Sequence, residues 1–80
     1  MIGVSKSSPY REALMRLINA INNEIPLKKE NQVLLVMKLN TEEKIIRFNE
    51  WVKKNLDNGK LKATEEEITR AAVKIDKGLI

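Results

Sequence analysis

The sequence predicts an all-α fold, a small bundle of four short helices. Three observations predict it. Apolar residues recur at three- and four-residue spacing in three separate stretches, and two of those stretches open with threonine followed by glutamates. No two segments alternate apolar and polar residues as paired, half-buried strands do. Eighty residues make one small domain, with residues 1–7 expected as a flexible leader and 8–80 as a single helical domain. A chain of this size buries only ~60–65% of its unfolded surface. It has no cysteine or histidine for a disulfide or zinc staple, so helix packing, or a partner, must supply the stability.

The first helix is expected over 8–25. Ser8 suits the N-cap, and Pro9 suits the first helical position, where no amide bond is lost. Tyr10, Leu14, Leu17, Ile18, Ile21 and Ile25 share one face, Glu12 and Arg16 form an i,i+4 pair, and Pro26 ends the helix near Glu24. The second segment, 28–39, is ambiguous because Val33-Leu34-Leu35-Val36-Met37 is an unbroken apolar run that suits a buried strand or a mostly buried helix. It reads as a helix, since a lone strand has nothing to pair with.

The third helix is expected over 41–57. Thr41 is the N-cap, and Glu42 and Glu43 complement the helix dipole in the first turn. Ile45, Phe48, Val52 and Leu56 form its apolar stripe, with Glu43–Arg47 and Glu50–Lys54 as i,i+4 pairs. Asp57-Asn58-Gly59 reads as its stop, with Gly59 in the left-handed cap conformation. The fourth helix, 64–78, opens with a capping box of Thr64 and Glu67 and aligns Ile68, Ala71, Ala72, Ile75 and Leu79 in a narrow stripe, with Gly78 as its stop. The expected core is Leu14, Leu17, Ile21, Leu35, Ile45, Phe48, Val52, Leu56, Ile68 and Ile75.

Composition argues against catalysis and metal binding. Without histidine or cysteine, most nucleophile–base pairs and most metal sites are missing, and the only serines lie at positions 5, 7 and 8. The paired carboxylates, Glu42/Glu43 and Glu65 to Glu67, fall in first turns, where capping explains them. The three glycines are isolated at positions 3, 59 and 78, so no phosphate-cradling loop exists. Asp57-Asn58-Gly59 lacks the remaining ligands of a calcium loop. No enzyme activity, no cofactor and no metal are expected.

The absence of an apolar leader and of a ~20-residue apolar run predicts no signal peptide and no membrane insertion. Together with the lack of cysteine, this places the chain in the cytoplasm. Abundant lysine, isoleucine and asparagine (11, 9 and 8 residues) have AT-rich codons, which suggests a low-GC bacterium or one of its phages.

The function that remains is macromolecular binding. The formal charge of +4 is unevenly spread: residues 44–62 carry Lys44, Arg47, Lys53, Lys54, Lys60 and Lys62 against Glu50 and Asp57. On the third helix Lys44, Arg47, Trp51 and Lys54 lie on adjoining positions. They form the candidate partner-binding site, with Trp51 as anchor and the cations steering an acidic protein. The plainer alternative is that Trp51 closes the edge of the core while Glu43 and Glu50 neutralise the cations.

Nucleic-acid binding through Lys44–Lys62 is the competing function, since an aromatic among cations stacks bases. Against it, both well-capped helices begin with carboxylates, which repel phosphate at the end a groove reader would insert. The Val33–Met37 run reads first as a helix lying centrally in the bundle; the alternative is more apolar surface than one small core can bury, and hence a partner groove or a homodimer interface. In size, charge and helix count the chain is similar to the four-helix immunity proteins of bacteriocin systems and to short phage-encoded helical proteins. That resemblance of plan implies a small cytoplasmic protein-binding factor.

Overall fold

The computed structural model describes residues 9–80, which form four helices and one short hairpin: α1 Pro9–Glu24, α2 Lys29–Lys38, α3 Glu42–Lys54, β1 Leu56–Asp57, β2 Lys60–Leu61 and α4 Glu65–Asp76. The all-α class and the four helices hold, including a helix for the apolar run. The expected leader and the Ser8 cap lie outside the described residues.

Local chemistry sets most of the helix ends. Pro26 stops α1, and the Asn22 side chain accepts the Leu27 amide at 2.7 Å to fix the turn into α2. Thr41 Oγ1 accepts from the Lys44 amide at the start of α3. At α4, Thr64 Oγ1 accepts from the Glu67 amide at 3.1 Å while the Glu67 carboxylate accepts from the Thr64 amide at 2.9 Å, completing the capping box. Gly78, at φ 78°, ends α4: its amide bonds to the Ile75 carbonyl and that of Leu79 to the Lys74 carbonyl, a Schellman motif.

The third helix ends three residues earlier than its sequence suggests. Asn58 and Gly59 both adopt positive φ (56° and 78°) and make a two-residue hairpin turn, pairing Leu56 with Leu61 and Asp57 with Lys60. Asp57-Asn58-Gly59 is therefore a strand turn rather than a helix cap. Leu56 sits in β1 and is exposed, and its expected core place is taken by Leu61, which is buried. The Leu61 amide donates to Glu24 at the end of α1, which ties the hairpin down.

Helix α4 packs on α2 and α3, and α1 packs on α2, α3 and β2. Phe48, Leu14, Ile18, Leu35, Leu39 and Ile68 are the largest fully buried side chains. Leu17 is only half-buried at the core's edge, and Leu79 is exposed because the chain has already turned out of α4 at Gly78. The core gains Ile18, Leu27, Leu39, Leu61, Ala71 and Ala72 beyond the ten positions expected from periodicity. No helix among the described residues is long and apolar enough to cross a membrane.

Candidate binding surfaces

The four expected site residues all lie on α3 but do not share one free surface. Lys44 turns toward α4, where its Nζ donates to Asp76 Oδ1 at 2.7 Å and to Asn40 Oδ1 at 3.1 Å. Asp76 also stands 3.7 Å from Lys38 Nζ, so one carboxylate joins α2, α3 and α4. The Lys44 hydrogen bond, with the Lys44 and Lys38 charges added, holds the Asp76 carboxyl below its ordinary value against an opposing desolvation effect. Arg47 pairs with Glu43 at 3.0 Å and donates to the Ile80 carbonyl at 3.3 Å. Lys54 is exposed, and the described residues show no Glu50–Lys54 or Glu12–Arg16 ion pair.

Trp51 is half-buried and stacks on Phe48, with ring centroids 6.0 Å apart and planes 11° from parallel. It therefore closes the edge of the core and still borders a shallow hollow. The cations that share that hollow come from α4, Arg70 and Lys74, together with Asn55 and Glu67. Sequence spacing on one helix could not show this, because α4 meets α3 only through the tertiary fold.

The first-turn carboxylates of α4 do more than complement its dipole. Glu65 accepts the Lys28 backbone amide at 2.7 Å and the Asn31 side-chain amide, clasping the N-terminus of α2. These two hydrogen bonds, the Lys28 one foremost, hold its carboxyl below the ordinary value. Lys28 itself caps α2 with no side-chain bond, and Glu65 of α4 accepts its amide as the N3 glutamate of a capping box would, a place that Asn31 holds in α2.

A second surface lies between α1 and α2. Helix α2 points Leu35 and, just past its end, Leu39 inward, while Val33 and Met37 face out, 48% and 66% exposed. Met15 of α1, 44% exposed, joins them, and Ile18 and Val36 floor the hollow with Lys29 and Gln32 at its border. An adjoining hollow between Tyr10, Arg11, Leu14, Leu39 and Asn40 shares Val36 with the first. Helix α2 is therefore not central in the bundle: Leu35 is buried, but Val33 and Met37 leave apolar surface on its outer side, as the alternative reading of the run has it. Compared with protein-family models, curated proteins and solved structures, the chain matches none of them.

Proposed function

We propose that this protein is a small non-catalytic helical binding module whose α1/α2 face takes a protein partner. The observation that carries this function is the grouping of Met15, Val33 and Met37, three large exposed apolar side chains around one hollow. Isolated exposed apolar residues are ordinary, but a contiguous group marks an interaction surface, and methionine adapts to varied partner shapes. Absence of catalysis fits the engagement of Glu65 and Glu67 in the fold. A cytoplasmic setting and a bacterial or phage origin fit the cysteine-free, lysine- and asparagine-rich composition.

Nucleic-acid binding is kept as a second function because Trp51 borders a hollow with Arg70 and Lys74. That site keeps Trp51 of the predicted Lys44–Lys62 stretch but takes its cations from α4; Lys44, Arg47 and Arg70 each have a carboxylate partner, and Lys74 has no ion pair among the described residues.

The test is a peptide-display selection on the immobilised full chain, with the selected peptides re-measured against Met37→Asp and Trp51→Ala. Loss of about tenfold or more in affinity with Met37→Asp alone supports the α1/α2 face. Loss with Trp51→Ala alone moves the partner site to α3. Binding of random-sequence DNA or RNA that weakens steeply with salt replaces the protein-binding function.

A further inference from the structure

We infer that the occupant of the α1/α2 face is an amphipathic helix with carboxylates near both of its ends. This rests on the reading of that face as a docking surface and adds the chemistry of what docks there.

The charges along the lining carry the inference. The two hollows meet at Val36 and together follow α2 from its first residue to Asn40, just beyond its end. Ten helical residues span ~15 Å, about the length of a three-turn partner helix. The middle is apolar, formed by Met15, Val33, Val36 and Met37. Among the described residues, the charged side chains in the lining are Lys29 at one end and Arg11 at the other. The neighbouring acids Glu12 and Glu30 are exposed and line neither hollow. An apolar hollow with Lys29 at its border, continued past Val36 by a more polar hollow that holds Tyr10, Arg11 and Asn40, complements a helix that is apolar on one face and acidic at both ends.

The same charges disfavour a second copy of this chain. In a two-fold pair the face meets itself, so Lys29 and Arg11 would approach lysine, arginine or apolar surface, with no lining carboxylate to receive them. The formal charge of +4 adds repulsion between copies and attraction toward an acidic partner.

The test uses two fluorescein-labelled, 14-residue helical peptides with leucine at i, i+3, i+4 and i+7, one ending in glutamates and one in lysines. Fluorescence anisotropy with the full chain should show the glutamate peptide binding about tenfold tighter at low salt, with the gap narrowing at 0.5 M NaCl. Val33→Asp should remove binding of both, and Arg11→Glu with Lys29→Glu should reverse the preference. Equal affinity for the two peptides, with both lost in Val33→Asp, overturns the charge inference and leaves the docking face standing. No binding, or binding unchanged by Val33→Asp, overturns the inference and removes its support from the face. A dimer in sedimentation that Val33→Asp dissociates makes a second copy the occupant and also overturns it. Thermal melts guard against unfolding, and Met37→Asp replaces Val33→Asp if the latter melts early.

Discussion

Helices α2 and α4 lie against each other and are finished in opposite ways. Helix α4 carries its own capping box, a carboxylate-rich first turn, a Schellman stop and a clean division between buried and exposed faces. Helix α2 has no side-chain cap, borrows an acceptor from Glu65 of α4, and shows Val33 and Met37 to solvent. One helix is specified by its own sequence, and the other is held by its neighbours. A helix that keeps apolar residues where stability does not need them is the one to suspect of contacts outside the chain.

The largest expected effect separates the two sides of α2. Leu35→Ala, at a fully buried position, should cost about 2–5 kcal/mol in urea unfolding, whereas Met37→Ala should change stability by no more than about 0.5 kcal/mol. A large loss from Met37→Ala would make the outer side structural and dissolve the contrast. Next, Thr64→Ala removes one arm of the capping box and leaves Glu67 without its reciprocal bond. It should cost about 1–2 kcal/mol, read as a fall in the urea midpoint. Giving α2 the cap it lacks, by Lys28→Ser, should add about 0.5 kcal/mol. No gain would mean that the Lys28 carbonyl, which already accepts the Asn31 amide at 2.9 Å, satisfies the donor a serine would reach.

The smallest effect is acid sensitivity. Glu65 and Asp76 have folded-state pKa values below their ordinary 4.5 and 3.8. They contribute their stability fully above the ordinary carboxylate range and lose it as pH falls through that range to the lowered values. Chemical denaturation at stepped pH should show a flat region above about pH 5 and a decline below it, and Glu65→Gln should remove part of the decline. An unchanged slope in Glu65→Gln would remove the clasp between α4 and α2.

Features written in adjacent residues were legible in the sequence. The Thr41 and Thr64 starts, the Pro26 break and the Gly78 stop depend on chemistry within a few positions. The end of α3 was misread because Asp57-Asn58-Gly59 suits either a helix stop or a hairpin turn, and strands of two residues leave no alternating run to decide between them. The candidate site was less legible. Lys44 meets Asp76 across 32 positions and Trp51 borders the same hollow as Arg70 and Lys74 of another helix, so helical spacing alone named neighbours that the fold rearranged. The apolar run pointed to surplus surface, but its continuity hid which residues turn outward until α4 fixed the inner side.

The outward methionines and valine also bear on how the purified protein behaves in solution. The isoelectric point expected from its composition is about 9.5, so at neutral pH molecules carrying this apolar face are kept apart by their shared positive charge. Near that pH the net repulsion vanishes while the face stays greasy. Light scattering across an alkaline titration should therefore rise toward pH 9.5, and Met37→Gln, which leaves the net charge unchanged, should flatten the rise.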